Sequence, residues 1–211
     1  MDCTLYNVPK SVLNGSRDVG VYVKYYQDKA YISVNSKSIY FDNHQGITLV
    51  NYSDPENPTI ITSNPNFYLG KFSNSAELTQ DGSIITFIDE KWKLVTLRGD
   101  NLTLLDNHLM INHANYQPLI RRVEGYNLFY TSHAEGGNTP QYSFYYIDET
   151  GEVTFVDFDA HKKNPNFYIG NMGVMDGDKY FLIENKRNDN FEWESHKFIY
   201  DISNLPEITL L

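Results

Sequence analysis

One seven-residue phrase occurs twice in this chain, and it constrains the fold more than any other feature. Residues 64–70 read Asn-Pro-Asn-Phe-Tyr-Leu-Gly, and residues 164–170 repeat this phrase with Ile169 in place of Leu69. Two aromatic-rich phrases that agree at six of seven positions, one hundred residues apart, indicate a structural unit that is used twice. The 211-residue chain is therefore expected to contain internal repeats.

Short strand-like runs joined by polar turns surround the two copies of the phrase. The chain has 17 Tyr and 12 Phe, and aromatic and β-branched residues favour pleated, half-buried surfaces. Asp-Gly pairs such as Asp81-Gly82 and Asp176-Gly177 supply the positive φ of tight hairpin turns. The segment 81–88 also aligns with the segment 176–183. Consecutive hairpins therefore predict four antiparallel four-stranded units.

The predicted fold class is all-β, in the form of a small β-propeller with four four-stranded antiparallel blades and an internal pseudo-twofold repeat. The predicted blades span about 18–62, 72–106, 117–158 and 171–211 of a single domain covering 1–211. Residues 1–17 are expected to add a closing strand to the last blade. A β-sandwich or two small β domains is the alternative architecture.

Two segments resemble the half-blades of one propeller repeat family. Residues 46–58, Gly-Ile-Thr-Leu-Val-Asn-Tyr-Ser-Asp-Pro-Glu-Asn-Pro, resemble the LVIVD type of repeat, and residues 198–206 resemble it more loosely. The resemblance covers these half-blades only. It implies a fold and no activity.

The formal net charge of −10 limits the classes of partner. It repels phosphate backbones and anionic membranes, so no nucleic-acid or membrane partner is expected, whereas a basic protein is favoured. The first ten residues lack the features of a secretory signal, and no run approaches about 20 apolar residues, so a cytoplasmic protein is expected. The single cysteine excludes an intramolecular disulfide. The sequence sets no oligomeric state.

Motifs for common catalytic chemistry are absent from the sequence. It contains no GxxxxGK[ST], GxGxxG, GxSxG, HExxH or CxxC motif, so no catalytic residues and no cofactor are predicted. In a propeller, the loops that join hairpins and blades share one face. The predicted inter-hairpin loops are 34–46, 88–92, 132–142 and 184–196, and all six histidines and both tryptophans fall in or beside the loops of this face.

Exposed aromatic side chains beside carboxylates are typical of recognition surfaces, because Trp and Tyr offer a large rigid area with a polar tip. The predicted binding residues combine these two types with one histidine: Trp92, Trp193, Tyr68, Tyr168, His133, Glu135, Asp189, Glu192 and Glu194. Tyr68 and Tyr168 belong to the doubled phrase. They either wedge between blades as structural residues or form two equivalent ligand pockets. Trp92 and Trp193 either bind a ligand or cap gaps between blades.

No metal site is predicted, although three histidines are weak candidates for ligands. His108 and His113 are five residues apart, a spacing that matches no standard site, and His133 precedes Glu135 in a Gly-rich segment.

The sequence favours a non-enzymatic, acidic protein-binding module, in one concrete form an inhibitor or immunity-type protein that neutralises a basic partner. The alternative is a carbohydrate-binding or glycoside-processing propeller. The third interpretation is a metal-dependent hydrolase or lyase with histidine ligands.

Overall fold

All regular elements among the described residues are β-strands. The computed structural model describes residues 19–36, 47–66, 76–89, 93–109, 119–135, 139–158, 167–188, 190 and 192–211. They form four antiparallel sheets of four strands each, in chain order within every sheet. The predicted fold class, all-β with four four-stranded antiparallel units, is confirmed. No helix that could span a membrane occurs in these segments.

The chain divides into two compact units, residues 1–110 and 111–211, and each unit contains two sheets. In unit 1 the first sheet contains β1 (Val19–Tyr26), β2 (Lys29–Ser36), β3 (Ile47–Asn51) and β4 (Thr59–Asn64). The second sheet contains β5 (Ala76–Leu78), β6 (Ile84–Ile88), β7 (Lys93–Arg98) and β8 (Leu104–Leu109).

Unit 2 is built in the same way. Its first sheet, the third of the chain, contains β9 (Leu119–Arg122), β10 (Leu128–Glu135), β11 (Thr139–Ile147) and β12 (Val153–Val156). The fourth sheet contains β13 (Phe167–Met175), β14 (Lys179–Arg187), β15 (Trp193–Asp201) and β16 (Thr209–Leu210). The four sheets span residues 19–64, 76–109, 119–156 and 167–210, and the predicted arrangement of 1–211 as one domain of four blades stays a prediction. The predicted closing strand in 1–17 lies outside the described residues.

Every sheet has two different ends. One end carries the turns that join its first strand to its second and its third to its fourth, and we call it the turn end. The opposite end carries the link from the second strand to the third, and we call it the connection end.

The same side-chain motif occurs in the last turn of all four sheets. An Asn or Asp accepts a hydrogen bond through Oδ1 from the backbone N–H of a Ser or Thr two residues later, which closes an Asx turn. The N···O distance is 2.9 Å in each of the four pairs, Asn51–Ser53, Asn101–Thr103, Asp148–Thr150 and Asp201–Ser203. Two of these turns fall within the segments that resemble the LVIVD repeat.

The two sheets of unit 1 pack through a shared apolar core. Tyr31 and Leu49 from the first sheet are buried with Phe87 and Leu97 from the second. The buried Tyr31 hydroxyl also donates a 2.6 Å hydrogen bond to the carbonyl of Gly99, and thus links β2 to the β7–β8 turn. A polar crosslink therefore fixes the two sheets at the edge of their core.

The core of unit 2 is dominated by aromatic rings. Phe158 lies at the centre, with ring centroids 4.5 Å from Phe144 and 4.9 Å from Tyr200. Tilted and edge-on pairs of this kind add to the free energy gained by burying the rings. At the turn end, the Tyr126 hydroxyl donates a hydrogen bond of 2.5 Å to Asp178, so the turn ends of the two sheets lie together.

Each unit has a crosslink from a tyrosine hydroxyl at a corresponding place, and the two tyrosines are one hundred residues apart. In unit 1, the Tyr26 hydroxyl reaches the carbonyl of Gln80 at 3.3 Å, as Tyr126 reaches Asp178 in unit 2. Both bonds run from the first turn of one sheet to the first turn of the next. The internal duplication predicted from the doubled phrase extends to these contacts.

The structure describes residues 64–66 of the first copy of the doubled phrase and residues 167–170 of the second, which are different parts of the phrase. In the first copy, Asn64 ends β4 and its Oδ1 accepts the N–H of Asn66 at 3.0 Å. In the second copy, residues 167–170 begin β13. Each copy connects the first sheet of its unit to the second.

Candidate functional site

The hairpin of β14 and β15 is longer than its counterpart in unit 1. It forms nine residue pairs, whereas β6 and β7 form five. The four additional pairs lie at the connection end and run from Glu184–His196 to Arg187–Trp193. We call residues 184–196 the arm.

Both hairpins close their connections with the same capping contact. In unit 1, Asp89 Oδ1 accepts the N–H of Lys93 at 2.9 Å, and in the arm Asn188 Oδ1 accepts the N–H of Glu192 at 2.9 Å. The cap has moved outward by the length of the added strand segments. The arm is therefore an ordered two-stranded extension over its described residues.

Strand alternation divides the arm into two faces. Trp193, Ser195 and their cross-strand neighbour Asn185 lie on one side, which we call the tryptophan face. Glu184, Glu194, His196 and Lys186 lie on the other, which we call the carboxylate face.

The tryptophan face combines an exposed ring with fixed polar groups. The Trp193 residue is 58% exposed, a large fraction for so apolar a side chain. The Ser195 hydroxyl donates a 2.6 Å hydrogen bond to Asn185 Oδ1. On the neighbouring strand, a Cβ on Gly170 would collide with Asn185 Nδ2, so glycine leaves room for that amide.

The carboxylate face continues the aromatic and aliphatic core of unit 2. Tyr180 and Leu182 on β14 pair with Tyr200 and Phe198 on β15, and the next pair on this side of the sheet is Glu184–His196. A row of apolar pairs thus ends in a carboxyl group and an imidazole.

Glu194 and His196 form a polar contact network on the carboxylate face. Glu194 Oε1 accepts a 2.9 Å hydrogen bond from Asn188 Nδ2. Its other oxygen, Oε2, lies 3.7 Å from His196 Nε2. Both residues are about half exposed, so this contact stabilises the fold little.

Glu184 is the unusual member of the group. It is only 9% exposed, and among the described residues its Oε1 has no hydrogen-bond partner. Burial raises the pKa of the Glu184 carboxyl, and the nearby His196 and Lys186 oppose the rise. A buried acceptor without a donor is costly, so this oxygen makes Glu184 a candidate functional residue.

The arm carries three of the predicted binding residues whose surroundings are described. Trp193 and Glu194 belong to β15 on opposite faces, and Glu192 is exposed at the end of the connection. The arm therefore brings the three together in the chain but not on one surface.

The other predicted binding residues are not described at the level of side chains. Trp92, Tyr68 and Asp189 lie outside the described residues. Tyr168 belongs to β13. His133 and Glu135 belong to β10, so their predicted place in a loop at 132–142 is wrong; β10 and β11 pair as far as Glu135–Thr139. The predicted loop at 184–196 is wrong for the same reason.

The sequence predicts that the histidines lie at one end of the sheets, and the structure describes the strand positions of three of them. His108, His133 and His196 belong to strands β8, β10 and β15, each close to the connection end of its sheet. His113, His44 and His161 lie outside the described residues. Among the residues that the structure describes, no group of three or more His, Cys, Asp or Glu side chains could hold a metal ion.

The acidic surplus is concentrated in unit 2. Unit 2 contains 15 acidic and 8 basic residues, a net of −7, whereas unit 1 contains 12 and 9, a net of −3. Eight of the 15 carboxylates occur in or beside the turns at the turn end: Glu124, Asp148, Glu149, Glu152, Asp176, Asp178, Asp201 and Glu207. Long-range attraction of a cation is therefore a property of unit 2 as a whole rather than of the arm alone.

Sequence reasoning missed Glu184 as a candidate residue. The sequence signal for this residue was its spacing: Tyr180, Leu182 and Glu184 are two residues apart, which places all three on one side of a continuous strand. It was hidden because the polar run after Ile183 resembles a loop.

Comparison with known proteins gives no family for this chain. No protein-family model matches it, and no curated protein matches it. Solved structures do match, and those reported below are propeller-type folds.

Three solved structures illustrate the likeness. The periplasmic gluconolactonase PpgL of Pseudomonas aeruginosa is 11% identical, with a TM-score of 0.48 over 96% of this chain and 58% of that one. An exo-1,5-α-L-arabinanase from a bovine ruminal metagenomic library is 13% identical, with a TM-score of 0.33 over 90% of this chain and 76% of that one. TolB of Acinetobacter baumannii is 15% identical, with a TM-score of 0.34 over 96% of this chain and 55% of that one. The chain thus spans 58% of the gluconolactonase and 55% of TolB, and these likenesses carry nothing about its activity.

Proposed function

We propose that this chain is a non-enzymatic, acidic protein-binding module that holds a basic partner with its arm. The exposure of Trp193 at the outer end of a two-stranded extension is the observation that carries the proposal. A tryptophan that is desolvated at the centre of an interface commonly contributes about 2 kcal/mol or more to binding. Solubility alone gives no reason to hold such a ring in water.

Charge supports a basic partner. Unit 2 has a net charge of −7, and the arm adds the exposed carboxylates of Glu192 and Glu194. Opposite net charges accelerate encounter, and added salt screens this attraction. In its more specific form, the proposal is an inhibitor or immunity-type protein that neutralises a basic protein.

The test begins with affinity capture from an extract of the source organism, with wild-type protein and with Trp193→Ala. The captured protein is identified and purified, and its association and dissociation rates are measured at several salt concentrations. We expect a basic protein whose association slows with salt and whose affinity falls about 30-fold with Trp193→Ala. Phe155→Ala is the matched control, because Phe155 is an exposed aromatic residue of the same unit.

Charge reversal identifies the contact surface. Reversing Glu192 and Glu194 to Lys should slow association more than reversing Asp81 and Asp176, which lie at turn ends. Equal effects of the two double variants would show that the arm is not the contact. An affinity unchanged by Trp193→Ala would refute the proposal.

Carbohydrate binding is the second candidate, and the tryptophan face favours it. Trp193 offers an aromatic platform beside the hydroxyl of Ser195 and the amide of Asn185, and exposed Trp rings with polar neighbours suit the apolar and hydroxyl faces of a sugar. Calorimetry with a panel of oligosaccharides tests this candidate. Binding that needs Trp193 and Ser195 and is insensitive to salt would replace the protein-binding proposal.

A further inference from the structure

The carboxylate face contains an acceptor without a donor at the margin of the unit 2 core. Glu184 follows Tyr180 and Leu182 on the inner side of β14, where the core gives way to the arm. Its Oε1 is buried and, among the described residues, has no partner. Its cross-strand neighbours, Ile169 on β13 and His196 on β15, differ in character, one apolar and the other polar.

The cost of this arrangement indicates what kind of group completes it. A buried carboxylate that lacks donors is destabilised by desolvation, and a cationic donor reverses that loss through charge and hydrogen bonds together. A ligand that binds this face needs several N–H groups, because it would contact the carboxylates of both Glu184 and Glu194. Glu194 is its diagonal cross-strand neighbour, within reach of one ligand that lies across both.

A guanidinium group matches these requirements better than an ammonium. It is planar, presents five N–H donors in a fixed fork, and binds carboxylates through paired hydrogen bonds. Its weakly hydrated plane also suits the apolar margin formed by Leu182 and Phe198. Lys186 offers only a flexible point charge on this face and lies opposite Glu194.

We propose that Glu184 and Glu194 form a subsite for the guanidinium group of an arginine side chain. The proposal deepens the proposed function and rests on it for the source of that arginine, which is the basic protein partner. In the free protein, Glu194 is held by Asn188 and lies near His196. These contacts orient its carboxylate for the incoming group. Glu184 then supplies the buried, desolvated half of the site.

The experiment uses ethylguanidinium as the probe, so that no partner is needed. The cation is titrated into isotope-labelled full-length protein at constant ionic strength and pH 7.5, and amide shifts are followed by NMR. We expect saturable shifts confined to residues 182–186 and 194–198. In Glu184→Gln, which keeps the shape and removes the charge, the affinity should fall by about tenfold or more.

Two controls separate specific binding from general attraction. Glu207→Gln removes an exposed carboxylate at the turn end and should leave the titration unchanged. N-Ethylurea has the same shape as the probe without its charge and should produce no saturable shift. Shifts that do not saturate, equal binding by Glu184→Gln, or equal binding of the urea would each overturn the subsite.

Failure of the subsite and failure of the proposed function give different results. A partner whose affinity depends on Trp193 but not on Glu184, with no saturable ethylguanidinium binding, refutes only the subsite. Saturable ethylguanidinium binding without any basic protein partner refutes the proposed function and leaves the guanidinium site standing.

Discussion

The hydroxyl of Tyr31 provides a stability test with a defined dependence on pH. In Tyr31→Phe, the buried carbonyl of Gly99 loses a 2.6 Å hydrogen bond and the ring keeps its packing. Loss of a buried hydrogen bond that leaves its acceptor unsatisfied costs about 1–2 kcal/mol. The free energy of unfolding at pH 7 should fall by this amount.

The cost of the substitution becomes smaller in alkali. Burial, reinforced by the Asp100 carboxylate, raises the pKa of Tyr31 from 10.0 to about 12. The contribution of this group to stability is complete below pH 10, and it is lost as the pH rises through 12, because the unfolded chain releases the proton first. At pH 11 the loss for wild type is about 1.4 kcal/mol, since a difference of one pKa unit corresponds to that free energy. Tyr31→Phe has no ionisable hydroxyl at this position, so its free energy of unfolding does not show this loss.

Urea unfolding followed by circular dichroism at pH 7, 9, 10 and 11 measures the difference between the two proteins. The cost of the substitution should shrink by about 1.4 kcal/mol between pH 7 and pH 11. Tyr25→Phe, at a ring that is 45% exposed, sets the baseline for an ordinary tyrosine. A cost for Tyr31→Phe that stays constant or grows with pH would refute the coupling between burial, hydrogen bond and ionisation.

Three further predictions concern stability, each measured by urea unfolding. Gly82→Ala should cost about 1–3 kcal/mol more than Gly177→Ala, because both have positive φ but only at Gly82 would the new Cβ strike the Tyr26 ring; equal costs would contradict this. Lys24→Met should cost about 1 kcal/mol, and less at 1 M salt, because it removes the 2.6 Å ion pair with Glu77; a cost independent of salt would argue against it. Glu184→Gln should stabilise the protein at pH 7 and not at pH 4, because a carboxyl with a raised pKa lowers stability as pH rises through that pKa; a loss at pH 7 would contradict the burial cost.

The strands and turns were largely predictable from the sequence because they are local. Hairpins such as β1–β2, with Gln27-Asp28 in the turn, follow from alternating residues on either side of two turn residues. Positive φ at Gly82 and Gly177 was expected from the Asp-Gly pairs. Four sheets then follow from counting hairpins, with no long-range contact needed.

The arm was not predictable by the same means. Residues 184–190 are all polar. They therefore lack the alternation of apolar and polar residues that marks a half-buried strand. Its strand structure depends on pairing with the residues after Glu192, which a propensity scale does not detect. The unpaired oxygen of Glu184 depends on the same pairing, because only the register shows which side the carboxyl faces.

A second internal repeat marks the last turns of the four sheets. Asn51-Tyr52-Ser53 and Asn101-Leu102-Thr103 each place an Asn two residues before a Ser or Thr, in the last turns of the first and second sheets. Asp148 and Asp201 begin the equivalent turns of the third and fourth sheets, with Asp in place of Asn. Once Asn and Asp are treated as equivalent acceptors, the spacing of 50, 47 and 53 residues marks all four sheets.

The order of strands within the sheets affects how the chain can fold as it is synthesised. Among the described residues, every strand pairs only with the strand before or after it in sequence, so the described strands of each sheet are all present once that segment has left the ribosome. Contacts of short sequence separation form quickly, and domains generally fold as units from the N-terminus. Among the described residues, the core that the first two sheets share is built from members between residues 26 and 102, and all eight strands of unit 1 precede residue 110. The time needed to synthesise residues 111–211 thus sets the interval in which the sheets of unit 1 can form before those of unit 2 are complete.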